Sequence, residues 1–136
     1  MEYKLEVVVV PVSDVDRAKH FYADQMGFAV DVDDSPNERF RIVQMTPVGS
    51  GCSITVGKGI ANMEPGALQG LQLTVDDIDA TRTELLARDV PVSTIQHHDG
   101  TSFVEGKGGR WNSFVFFKDP DGNGWAIQER PKPGDE

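Results

Sequence analysis

The sequence holds a single cysteine, three histidines and few basic residues, and its apolar runs are short. With no second thiol, Cys52 cannot form an internal disulfide, and a lone cysteine fits a reducing compartment. No apolar run approaches the ~20 residues of a membrane span, and no basic-then-apolar leader opens the chain, so a cytoplasmic location is expected. Positive charge is scarce, with 13 Lys and Arg against 22 Asp and Glu, for a net charge of −9. That field repels phosphate backbones and anionic lipid, so neither nucleic acid nor a membrane is an expected partner. A chain of 136 residues is one domain by length. At that size it buries roughly 65–70% of its unfolded surface without staples.

What is present is a repeated pattern. Val7 to Val10 form a β-branched strand core, Asp14 stands at a helix N-cap, and Val15, Ala18, Tyr22 and Met26 recur at helical spacing until Gly27. Strands are expected over residues 28–32, 40–46 and 52–58, with 33–38 as a polar turn. After Gly59–Gly66, the pattern returns at a fixed offset of 63 residues: Val8, Val10 and Val12 answer to Leu71, Leu73 and Val75, and Asp14 to Asp77. A helix follows Asp77, a strand is expected over 92–96, and a glycine-rich loop runs from Asp99 to Asn112. Phe114–Phe117 and Trp125–Gln128, joined by Asp119-Pro120-Asp121-Gly122-Asn123-Gly124, make a closing hairpin. The tail 131–136, with two prolines and charges, reads as disordered. The fold class is α+β: two tandem βαβββ modules, about 4–58 and 68–130, in one domain of residues 1–130.

The Asp-Pro-Asp-Gly turn, the segment Pro11-Val12-Ser13-Asp14-Val15-Asp16-Arg17-Ala18, Phe21-Tyr22 and Gly27-Phe28 together resemble the vicinal-oxygen-chelate superfamily of glyoxalase I, extradiol dioxygenases and bleomycin-resistance proteins. The resemblance implies two half-barrels around a central cavity and, in relatives, frequent homodimers. It also implies four metal-ligand positions, which fall here on Val7, on Ser53 or Ile54, on Gly70 and on Ala126. Valine, glycine and alanine carry no donor atoms and a lone serine is a poor ligand, so no metal and no cofactor are expected.

Strand alternation places Val7, Val9, Gly70, Gln72, Thr74, Ala126 and Gln128 on the cavity face, opposite Val8, Val10, Leu71, Leu73, Val75, Trp125 and Ile127. Alternation leaves the inward pair of Phe114–Phe117 open, and we take Phe114 and Phe116 as the candidates. Trp111, with Phe103 and Arg110, lies in the long loop and serves either as a lid over a bound molecule or as packing. The expected ligand-binding set is therefore Val7, Val9, Gln72, Thr74, Trp111, Phe114, Phe116 and Gln128, suited to a small, largely neutral organic molecule. The alternative is a lyase, isomerase or dioxygenase, using either ligands one register away or His97 or His98 as a general base with Glu105. Adjacent strand residues face opposite ways, so only one of the two histidines can enter a cavity.

Overall fold

The computed structural model describes residues 1–133 and divides into two compact units. Unit 1 is residues 1–68 with 119–123, and unit 2 is residues 69–118 with the chain from 124 onward. The tail expected to be disordered falls partly on residues 134–136, which lie outside the described residues.

Unit 1 contains β1 (Val7–Val9), α1 (Val15–Lys19), a π-helical turn His20–Gln25, β2 (Ala29–Asn37), β3 (Phe40–Thr46) and β4 (Ser53–Lys58). Its sheet runs β1-β4-β3-β2, with β1 parallel to β4 and the other pairs antiparallel. The Asp14 carboxylate accepts from Arg17 N–H at 3.0 Å, capping the helix as the sequence indicates. Gly27, at φ 80°, ends the helical run in a conformation costly for other residues. Val10, Phe21, Tyr22, Phe28, Val43, Met45, Ile54 and Val56 form the core.

The expected turn at residues 33–38 is instead strand as far as Asn37. Asp33 is neutralised by Arg41 (3.0 and 3.1 Å) and Lys19 (2.8 Å), which makes its place beside β3 tolerable. Pro36 costs no ladder bond because β2 is a sheet edge with bulges at Val30/Val32 and Asp34/Asn37.

The turn at 119–123 is the polar centre of unit 1. Asp119 accepts four hydrogen bonds: Tyr22 Oη at 2.7 Å, Asn123 Nδ2 at 2.8 Å, Asn123 N at 2.9 Å and Asp121 N at 3.0 Å. Asn123, fully buried, also donates to the Pro11 carbonyl at 2.8 Å and accepts from Leu68 N at 3.0 Å. Asp121 accepts from Ser13 N and Oγ and from Arg17. A buried carboxylate is tolerable only with this many donors.

Unit 2 contains β5 (Leu71–Val75), α2 (Ile78–Ala87), β6 (Gln96–His98), β7 (Phe103–Glu105), β8 (Phe114–Lys118) and β9 (Gly124–Glu129). The sheet order is β5-β9-β8-β6-β7, with β5 parallel to β9. Asp77 caps α2 by accepting from Ala80 N at 3.0 Å. The helix lies on β8 and β9, over Val115, Phe117, Trp125 and Ile127, and Ile78, Leu85 and Val90 complete the core.

Two expectations need correction here. The strand expected over 92–96 begins only at Gln96, because Ser93 replaces ladder pairing with its own bonds: its N–H donates to the Phe116 carbonyl and its Oγ accepts from Phe116 N, both at 2.9 Å. The loop 99–112 contains β7, so the sheet has five strands rather than four. Asp99 Oδ1 accepts from Thr101 N at 2.8 Å and Ser102 N at 3.0 Å, and Gly100 sits at φ 103°, which together close a β6–β7 hairpin. Among the described residues no helix is long and apolar enough to cross a membrane.

Candidate functional site

The side of the unit 2 sheet facing away from α2 carries the residues of interest. Register fixes it: Gln72 pairs with Ala126, Thr74 with Gln128, Phe114 with Gln128 and Phe116 with Ala126, so all six share one face. Phe114 and Phe116 therefore lie with the amides, while Val115 and Phe117 are buried on the helix side.

Three phenyl rings and one imidazole gather there. Phe114 and Phe116 are parallel, with centroids 6.0 Å apart and planes inclined by 7°. Phe103, from β7, stands edge-on to both, at 5.4 and 4.9 Å, and His98 meets Phe103 edge-on at 5.1 Å. Edge-to-face packing of this kind orients rings firmly. Phe103 keeps 44% of its surface exposed, and Trp111 47%. A cavity of about 410 Å³ lies at the β8–β9 turn end of the sheet, lined by Gln69, Gly70, Phe116, Phe117, Lys118, Gly124, Trp125 and Ala126. Gly70, at φ 92°, has open space where a Cβ would stand.

The polar groups on this face form a short chain. Gln72 Nε2 donates to Gln128 Oε1 at 2.7 Å, and Gln128 Nε2 donates to the Trp111 carbonyl at 2.6 Å. Trp111 has φ 60°, a left-handed backbone uncommon for a bulky residue. Its neighbour Asn112 brackets His98: Oδ1 accepts from His98 N and Nδ2 donates to His98 O, each at 2.8 Å. The segment around Trp111 is thus fixed at two points.

His97, His98 and Glu105 are each hydrogen-bonded to a near neighbour, and the pairing of Gln96 with both Glu105 and Phe114 puts Glu105 on the same face as His98. His98 is the one on the aromatic face, and its Nδ1 lone pair accepts from Gly100 N–H at 3.1 Å. His97 points to the other face, where its Nδ1 lies 2.8 Å from the Gly106 carbonyl and must carry the proton. Glu105 pairs in register with Gln96 and accepts from the Thr94 hydroxyl at 2.6 Å.

In unit 1, Val7 pairs with Ser53, Val9 with Thr55 and Gln44 with Thr55, which sets these residues and Thr46 on one face. Ser53 shares the face of Val7, whereas Ile54 is buried on the helix side. The Ser53 hydroxyl is 2.6 Å from Thr46 Oγ1, and Thr46 in turn donates to Asp31. The Ser53 and Thr46 hydroxyls are thus spent on one another and on Asp31. Elsewhere in unit 1 a polar cavity of about 630 Å³ lies beside Ser13, Asp14, Asp16, Glu38 and Arg41.

The residues at the four family ligand positions do not fit a divalent ion. Val7, Gly70 and Ala126 offer no donor atom, and the Ser53 oxygen is engaged by Thr46. Among the described residues, Asp77, Asp79 and Glu129 bring carboxylates within 4.8 Å of one another. Lys107 occupies that cluster, 3.0 Å from Asp79 and 3.6 Å from Glu129, and Glu129 also accepts from Ile78 N. The hydrogen bond to Asp79 holds the Lys107 ammonium above its usual pKa. That group is an ion-paired helix start.

Sequence reasoning passed over Asn112 and the Asp31–Thr46–Ser53 chain, since neither has a local motif. It named Phe103 only as part of a loop, although the Asp99-Gly100 dipeptide signals the hairpin that positions it.

Solved structures resemble the whole chain. TnmS3, an antibiotic binding protein from Streptomyces sp. CB03234, is 32% identical with a TM-score of 0.77, the match covering 96% of this chain and 98% of that one. A glyoxalase/bleomycin resistance protein from the same organism is also 32% identical, with a TM-score of 0.73 and coverage of 93% and 100%. A superfamily member from Sphaerobacter thermophilus DSM 20745 shares the fold at 24% identity and TM-score 0.76, covering 95% and 98%. No curated protein matches the sequence. Residues 4–127 match the family model, and the chain belongs to the Glyoxalase/Bleomycin resistance protein/Dioxygenase superfamily.

Proposed function

We propose that this protein binds a small, largely neutral organic molecule with a planar aromatic portion, without transforming it. One observation carries the reading. Phe103, Phe114 and Phe116 form an oriented aromatic surface on the open side of the unit 2 sheet, beside an uncharged amide pair and an exposed Trp111. Apolar walls with a few placed polar groups are what a small-molecule site needs. Catalysis by His98 finds little support, since its Nδ1 lone pair is spent on Gly100 N–H. TnmS3, which is described as antibiotic binding, makes a sequestering role a natural one for this chain as well.

Calorimetric titration with neutral planar tricycles tests this. Phe114→Ala and Phe116→Ala are expected to weaken binding about tenfold each, from the loss of aromatic contact. Unchanged affinity in both would contradict the proposal.

We also propose a homodimer. Tyr3 and Leu5 are 86% and 72% exposed and lead into the edge strand β1, an apolar strip that a second copy would cover. Sedimentation equilibrium should show a dimer that Leu5→Lys converts to monomer, and a monomeric wild type would refute it.

A further inference from the structure

The amide chain on the aromatic face has a direction, and the direction specifies ligand chemistry. Which end of a glutamine amide is oxygen is normally a matter of assignment. Here it is forced. The Trp111 carbonyl can only accept, so the Gln128 atom 2.6 Å away is the nitrogen. Gln128 Oε1 then faces Gln72, and the Gln72 atom 2.7 Å from it is again the nitrogen. Gln72 is left with its carbonyl oxygen and one N–H unspent, both on one exposed amide of the open face.

From this we infer that Gln72 is a specificity-determining residue that reads an adjacent donor–acceptor pair, such as a lactam, on a planar ring system packed against Phe114 and Phe116. The inference deepens the proposed binding function and rests on it. Gln128 acts as the positioning residue. Its bond to Trp111, in a segment also held by the Asn112 bracket on His98, keeps the chain from reversing. Were the chain reversed, the Gln72 oxygen would face Gln128 and its amino group would face the ligand. A ligand with an oxygen where the N–H should be would then meet no repulsion. In the observed direction that oxygen faces the Gln72 carbonyl, and two acceptors in contact are unfavourable.

The test uses an isosteric pair. Phenanthridin-6(5H)-one is a planar, neutral lactam, and benzo[c]chromen-6-one is the lactone with oxygen in place of its N–H. Wild-type protein is expected to bind the lactam at least about tenfold more tightly, the scale of one mismatched buried hydrogen bond. Gln72→Leu should bring the two within about twofold while retaining lactone binding, which also shows that the variant is folded. Gln128→Leu should reduce the preference without touching Gln72. Equal binding of the pair by wild type overturns the inference and leaves the binding function standing. Failure of both compounds to bind overturns the reading of the aromatic face and the inference with it.

Discussion

The two sheets follow one sequence pattern at a constant offset, yet their open faces carry different side chains, with an aromatic cluster on only one of them. In unit 1 that face holds Val7, Val9, Ile42, Gln44, Thr46, Ser53 and Thr55, and the Thr46 and Ser53 hydroxyls are tied to one another and to Asp31. In unit 2 it holds phenyl rings, an exposed edge of Phe103 and an amide with unspent groups. Unit 1 concentrates its polar bonding inside, on Asp119 and Asn123. The difference teaches that the residues a backbone pattern requires, the caps, the turn and the helix-facing hydrophobes, say little about what the alternate residues are for.

The largest expected effect breaks the buried side of this comparison. Asp119→Ala removes the carboxylate that accepts from Tyr22 Oη and Asn123 in the core of unit 1 and should destabilise the protein by about 3–5 kcal/mol, read from urea unfolding. A loss below about 1 kcal/mol would show that the turn is not the polar centre described. Next, the faces are set against each other. Phe116→Ala should weaken phenanthridinone binding about tenfold, and Thr46→Val on the unit 1 face should change it less than about twofold. Equal losses would erase the distinction between the faces.

A smaller effect concerns Asp33. Hydrogen bonds from Arg41 and then Lys19 hold its carboxyl near a pKa of about 2, below the usual 3.8. A depressed folded-state pKa contributes stability that is complete above 3.8 and is lost as pH falls through the interval to about 2. The pair is partly solvated, so the contribution is about 1 kcal/mol. Arg41→Met should flatten the acid limb of a stability–pH curve between those values, and an unchanged limb would contradict the assignment. Smallest of all, Lys107→Met should lower stability by less than about 1 kcal/mol, because its nearer partner, Asp79 on α2, is exposed. A larger loss would make the carboxylate cluster a structural element of unit 2 comparable to the Asp119 turn.

Much of this architecture was legible in the sequence. Asp14 and Asp77 announced both helices, and the parity of Leu71–Val75 and Trp125–Gln128 placed Gln72 and Gln128 correctly on the open face. Phe114–Phe117 could not be resolved by alternation, because four apolar residues in a row mark no polar side. Only the pairing of Phe114 with Gln128 settles it. The second half of β2, beyond Val32, was hidden by its acidic residues, of which Asp33 has its neutralising partners Lys19 and Arg41 distant in the chain or on another strand. The direction of the amide chain was out of reach for a similar reason: it depends on the Trp111 carbonyl, a backbone atom in a loop, lying beside Gln128.

The most direct measurement is an NMR titration of isotope-labelled protein with phenanthridinone, following the side-chain amides of Gln72 and Gln128, the Trp111 indole and the phenylalanine rings. Saturable shifts confined to these groups are expected. Shifts confined to the polar cavity around Ser13, Asp16 and Arg41, with the unit 2 face silent, would contradict the account.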